Sequence, residues 1–173
     1  MTAFDTCYAS VLASEGGFSN NVRDPGGITN LGVTKHAWEA WLGHPVTEHD
    51  MRLLNATTVA PFYRAQYWNV VHGDNLPVSV ALCLFHCAVN AGPKRAAELL
   101  QWIVGAEPDG SMGPATLKAT AAWIKLHSEK ALVVAFQDAL RAYYHTLSNF
   151  DVFGKGWVNR ANDVEKQAIG LAK

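Results

Sequence analysis

The sequence predicts a mainly α fold, interrupted once by a small polar β-hairpin after the first helix. Three observations predict it. Apolar residues recur at helical spacing through most of the 173 residues. Residues Phe18 to Val33, FSNNVRDPGGITNLGV, abandon that spacing for Asn, Gly, Asp and Pro. Val78 to Asn90 is apolar on nearly every side, as a buried central helix is.

The elements follow in order. Phe4, Cys7, Tyr8, Val11 and Leu12 share one helical face, so a first helix is expected from about residue 3 to Ser14. Gly16-Gly17 follows, where glycine takes a left-handed cap conformation without steric cost, and Glu15 is left at the helix carboxyl end. Asp24-Pro25-Gly26-Gly27 is a turn signal, and Ile28 to Val33 flank a short hairpin. Thr34 is the expected N-cap of a helix through Trp38 and Trp41, closed by Gly43 and Pro45. Thr47, with Asp50 three residues on, opens a short helix with a capping-box variant. Thr57 is expected to cap a helix carrying Val59, Phe62, Tyr63 and Tyr67, with Pro61 near its first turn. His72 to Pro77 reads as a loop. Gly92-Pro93 ends the central helix and restarts one through Ala97, Leu100 and Val104. Pro108-Asp109-Gly110 is a turn and Pro114 opens the next helix. Glu129 to Leu147 places Leu132, Phe136, Leu140, Tyr143 and Leu147 on one face, and Trp157 is expected to begin a short final helix.

Composition narrows the function classes. A hydrophobic fraction of 49% and a charged fraction of 17% describe a globular chain, not a disordered one. Fourteen basic against fifteen acidic residues leave no basic surplus of the kind nucleic-acid binders carry. Three cysteines, Cys7, Cys83 and Cys87, are too few for a disulfide framework. The longest apolar stretch falls short of the roughly 20 residues of a membrane span. Met1 to Ser14 has neither a basic start nor an unbroken apolar run, so synthesis in the cytoplasm without a signal peptide is expected.

The segment that carries chemistry is Glu15 to Thr34, EGGFSNNVRDPGGITNLGVT. A carboxyl at a helix carboxyl end feels the negative pole of the helix dipole, and partial burial adds to it; both favour the protonated form. Asp24, in a polar turn, is expected to stay ionised. One protonated and one ionised carboxyl are the pair that glycoside hydrolysis requires. Thr29 or Asn30 is placed to hold the attacking water. A glutamate before Gly-Gly and an Asp-Pro-Gly-Gly turn are also ordinary surface features, so composition and spacing alone leave both readings open.

The whole motif resembles the opening signature of glycoside hydrolase family 108, the phage and bacterial N-acetylmuramidases. The similarity continues in FYRAQYWNVVHGDNLP, residues 62 to 77, in LFHCAVNAGPKRAAELLQ, residues 84 to 101, in DGSMGPATL, residues 109 to 117, and in GWVNR, residues 156 to 160. The resemblance implies a lysozyme-like, two-lobed helical fold that cleaves the β-1,4 bond between N-acetylmuramic acid and N-acetylglucosamine. It implies residues 1–91 as a catalytic lobe and residues 92–173 as a helical lobe similar to a peptidoglycan-binding region. The apolar Val78 to Val89 helix is expected to serve both, making one domain of 1–173. The family's catalytic acid falls on Glu15. The Glu, Asp, Thr order also resembles the catalytic triad of phage lysozymes, with Asp24 matching and Thr29 arriving one position early, where Asn30 fills the matching place. His86-Cys87 departs from the Asp-Phe of many relatives, and Asn20 to Arg23 lacks a Pro or Asp that relatives often carry.

Three further residues are candidates for substrate contact. Tyr67 and Trp68 are expected beside the His72–Pro77 loop, where an aromatic face stacks on sugar or packs the core. Asn90 is expected as a buried amide that braces the cleft or meets an acetamido group. Cys83, His86 and Cys87 lie close on one helix and invite a metal reading, but a ligand is missing from the set and free cysteines usually pack as core; no metal and no cofactor is expected. The resulting expectation is a monomeric endolysin muramidase acting on the peptidoglycan glycan strand after holin-type release, with no nucleic-acid partner. The competing readings are a lytic transglycosylase using Glu15 alone, and a non-catalytic wall-binding or secretion-assisting protein.

Overall fold

The first helix, α1, spans Ala3–Ser14, the range its apolar spacing predicts. In this computed structural model, residues 1–20 and 27–173 are described. Thr2 and Asp5 cap α1 reciprocally: the Asp5 amide donates to Thr2 Oγ1 at 3.1 Å and the Thr2 amide to Asp5 Oδ2 at 2.8 Å. At the other end the Glu15 amide closes the helix onto Leu12 O at 3.2 Å. Gly16 and Gly17 do not take the expected left-handed conformation. The tightened last turn satisfies the chain there instead.

Packing divides the chain into two compact units, residues 8–66 and residues 1–7 with 67–173. In the first, strands β1 (Ser19–Asn20), β2 (Ile28–Asn30) and β3 (Val33–Thr34) form an antiparallel sheet in that order. The hairpin expected between Ile28 and Val33 is β2–β3, with Asn30 opposite Val33. Its two-residue turn, Leu31-Gly32, has φ of 49° and 74°, the double positive φ that a right-twisted hairpin needs. Strand β1, which the sequence pattern did not show, adds Ser19 opposite Thr29.

Thr34 then caps helix α2 (Lys35–Leu42), accepting from the Ala37 amide at 3.2 Å, and Gly43 ends it at φ 78°. Thr47 and Asp50 form a full capping box on α3 (Glu48–Arg52). Helix α4 (Ala56–Tyr63) is capped by Asn55, not by the expected Thr57; the Asn55 carbonyl oxygen accepts from the Thr58 amide at 3.0 Å. Pro61 consequently sits inside α4, and the chain widens into a π-helical turn over Arg64–Trp68. Tyr8, Val11, Val33, Trp38, Met51, Val59, Phe62 and Tyr63 make the core of this unit. Its rings meet edge to face, with Trp38 and Trp41 both against Phe62.

In the second unit, helix α5 (Val78–Ala91) is buried without interruption from Ser79 to Ala88. It is surrounded by α6 (Pro93–Val104), α8 (Glu129–His145) and α9 (Phe150–Leu171), and α7 (Pro114–His127) packs on α6 and α8. Pro93 and Pro114 open their helices where a missing amide hydrogen is harmless. Along α8 the buried face is Leu132, Phe136, Leu140 and Tyr144; Tyr143, expected inside, lies half-exposed one position away. Helix α9 is 22 residues long and Trp157 lies inside it, not at the start of a short helix. Phe150 and Phe153 extend its apolar face ahead of Trp157, a contribution the intervening Gly154 and Gly156 obscure in the sequence. Among the described residues no helix is long and apolar enough to cross a membrane.

Candidate active site

Three elements of the smaller unit bring one set of side chains together. Helix α1 ends at Ser14 and delivers Glu15, half-buried, from its carboxyl end. The β2–β3 turn delivers Gly32, and α4 delivers Tyr63, which is 1% exposed. A Cβ on Gly32 would lie 2.5 Å from Glu15 Oε2 and 2.5 Å from Tyr63 Oη. The carboxylate and the phenol therefore close on the same point, and only a residue without a side chain leaves room for both. Tyr63 also donates its hydroxyl hydrogen to Leu31 O at 2.8 Å, which ties the turn to α4. Leu31 pays about 1–2 kcal/mol for a left-handed backbone, and that hydrogen bond helps hold it there.

Thr29 lies on the central strand β2, half-buried, its hydroxyl 3.4 Å from Gly27 O. Asn30, next along the strand, points inward. Its amide donates to Met51 O at 2.8 Å and to Leu54 O at 3.4 Å, so it satisfies carbonyls at the end of α3. These bonds tie the Asn30 amide nitrogen, on a residue expected to hold water or sugar, to the end of α3. Asp24 falls outside the described residues. Phe18 and Asn20, which lead into that segment, are held against α3: the Arg52 guanidinium lies 3.8 Å over the Phe18 ring, and Asn20 donates to Glu48 at 3.0 Å.

The remaining candidates belong to the larger unit. Trp68 is fully buried, edge-on to Phe4 and Phe85, with Gly73 against its indole face. No sugar reaches that ring, and its contacts are those of core packing. Tyr67, its neighbour, is half-exposed. Asn90 is exposed where a buried amide was expected; it donates to His86 O at 2.7 Å and accepts from the Arg160 guanidinium. It thus joins the end of α5 to α9. Cys83 and Cys87 are buried, and burial pushes both thiols up to about 12. Both therefore stay protonated at neutral pH and pack as small apolar groups. Among the described residues no group of three or more His, Cys, Asp or Glu side chains is arranged to hold a metal ion.

Sequence reasoning missed Gly32 and Tyr63. The signal for Gly32 was present, since Asn30-Leu31-Gly32-Val33 is a two-residue hairpin connection with glycine at its second position. Nothing local marks Tyr63, because its hydroxyl meets the turn through a contact 32 positions apart in sequence.

The family model described as Glycosyl hydrolase 108 matches residues 8–92. The solved structure of Brucella abortus SagA is 35% identical, with 97% of this chain and 94% of that chain covered and a TM-score of 0.85. The chain belongs to the glycosyl hydrolase 108 family. A second model, described as Predicted Peptidoglycan domain, matches residues 95–162 of this hydrolase. No curated protein matches it. The family 108 enzyme is thus a glycoside hydrolase acting on peptidoglycan, on a lysozyme-like, mainly helical fold.

Proposed function

We propose that this hydrolase is a muramidase of the endolysin type, cutting the β-1,4 bond between N-acetylmuramic acid and N-acetylglucosamine. The observation that carries the reading is the Glu15 carboxylate, held at the end of α1 between the β-turn and the Tyr63 hydroxyl. The negative pole of α1 disfavours a second negative charge beside it, which suits a proton donor. Glu15 passes its proton to the glycosidic oxygen as the bond to the anomeric carbon breaks. Asp24 accepts a proton from the attacking water, which Thr29 orients, and the water oxygen bonds to the anomeric carbon. Attack on the face opposite the leaving group gives inversion.

On this endolysin reading the enzyme acts on the wall as a monomer after holin-type release. Glu15→Gln keeps the shape of the side chain and removes the acid. It is expected to retain the fold and nearly abolish clearing of permeabilised Gram-negative cells. Activity near that of the parent rejects Glu15 as the acid. Mass spectrometry of the products separates hydrolysis from transglycosylation, because hydrolysed ends carry one water more than 1,6-anhydro ends. Asp24 favours the former, since a transglycosylase needs no carboxylate to activate water.

A further inference from the structure

The larger unit carries an open groove of about 460 Å³ that the chemistry at Glu15 does not use. Arg95, Leu99 and Trp102 of α6 form one wall, at positions i, i+4 and i+7 of one helix face. Ala139, Ala142 and Tyr143 of α8 form the other. The small alanines opposite the large α6 side chains are what open the furrow, and its lining is mostly apolar. Trp102 is 58% exposed, so its indole face is open to solvent along this groove.

Beside it, sharing Arg95 and Tyr143, lies a polar depression of about 250 Å³ that Lys94 and Glu98 also line. There the Arg95 guanidinium pairs with Glu98 at 2.8 Å and lies 4.6 Å over the Tyr143 ring. Lys94 stands 3.9 Å from the same carboxylate, its side chain 77% exposed. One carboxylate between two cations leaves a net positive charge in this depression. An apolar trough with a few convergent charges is the ordinary form of a small-ligand site, and its volume lies in the usual range of roughly 300–1,000 Å³.

We propose that this groove binds a muropeptide unit of the wall, with the sugar ring on Trp102 and a carboxylate of the stem peptide at Lys94 and Arg95. The proposal rests on the peptidoglycan reading above and adds the place and the chemistry of binding. Peptidoglycan is the polymer whose units combine an uncharged amino-sugar ring with an acidic peptide. The ring's axial C–H face suits an open indole, its acetamido methyl suits the alanine wall, and the free carboxylates suit the surplus cation. Both walls lie within residues 95–162, the stretch that the peptidoglycan model matches.

The test is co-sedimentation of the full chain with purified Gram-negative sacculi, intact or stripped of stem peptides by an amidase. Trp102→Ala removes the platform, and Ala142→Trp fills the trough from the other wall; both positions are exposed, and thermal melting checks each fold. Each variant is expected to lower retention on intact sacculi about tenfold. Stripping the peptides is expected to weaken wild-type retention, and Lys94→Glu to do the same on intact sacculi. Variants retained as well as wild type, by sacculi from which wild type releases reducing ends, leave the glycosidase reading standing and overturn the groove. So does loss of self-association in Trp102→Ala with retention intact, which assigns the groove to a second copy. Wild type that neither binds sacculi nor releases reducing ends overturns the reading itself.

Discussion

Gly32 stands where a single methyl group would come within 2.5 Å of Oε2 of Glu15. The turn glycine is thereby the wall of the carboxylate's pocket as well as the second residue of a hairpin. Gly32→Ala meets two obstacles. Its φ of 74° costs an L-residue about 1–2 kcal/mol, and the methyl displaces either Glu15 or Tyr63. A displacement near 1 Å at a reacting group costs on the order of 100-fold in rate. Gly32→Ala is therefore expected to fold with a lowered melting temperature and lose about 100-fold in release of reducing ends from sacculi. Tyr63→Phe keeps the volume and removes the hydroxyl that holds Leu31 O, so it is expected to lose about 1–2 kcal/mol of stability. A Gly32→Ala enzyme of near-normal rate contradicts a displacement of Glu15 by the added methyl.

Gln101 is the clasp of the α6–α7 connection. The side chain is buried, and the two hydrogens of its Nε2 are shared among three acceptors, Asp109 Oδ1 at 2.8 Å, Ser111 O at 3.0 Å and Thr116 Oγ1 at 3.1 Å. Its Oε1 accepts from the Gly110 amide at 2.9 Å. Backbone donation from Ser111, then Gln101 itself, holds the Asp109 carboxyl below the usual range. Gln101→Ala leaves several of these groups without a partner and is expected to cost about 2–4 kcal/mol in urea unfolding. Gln101→Glu is expected to cost more, because a carboxylate oxygen then faces Asp109. A change below roughly 0.5 kcal/mol in both variants removes Gln101 from this role.

His86 makes stability depend on acid. Burial, and then the Arg160 charge, push the imidazole down from 6.5 to about 4. Between those pH values the unfolded chain binds a proton that the folded chain refuses. Stability is therefore complete above the unfolded value and falls by up to roughly 1.4 kcal/mol per pH unit as pH drops toward 4. His86→Gln removes the titrating group. Urea midpoints measured from about pH 7 to about pH 4.5 are expected to fall more steeply for the parent than for the variant. Parallel slopes in the two proteins contradict the assignment.

Most helices were legible because their signals are local. Thr34, Thr47, Gly43, Pro93 and Pro114 act on backbone groups within one turn, so caps and breaks read directly from the string. The errors lie where two local signals compete. Asn55 and Thr57 both suit a cap, and the Asn takes it. Helix α9 runs through Gly154 and Gly156 because packing against α8 and α5 outweighs about 1 kcal/mol for each glycine. Trp68 and Tyr67 are adjacent aromatics in one motif, and only packing tells that the first fills the core while the second keeps a solvent-facing side.

The amino-acid string alone established the helical class, the polar excursion after α1, and a glutamate at that helix's end. These depend on residue type and on spacing within a few positions. The partners of that glutamate were settled by folding: Gly32 comes from a hairpin and Tyr63 from a helix further on, and the two meet Glu15 because side chains distant in sequence converge on one point. The groove beside Trp102 has the same origin, since neither α6 nor α8 is concave until small residues of one face large residues of the other. Spacing along a chain encodes which face a residue occupies; what that face touches is a property of the packed whole.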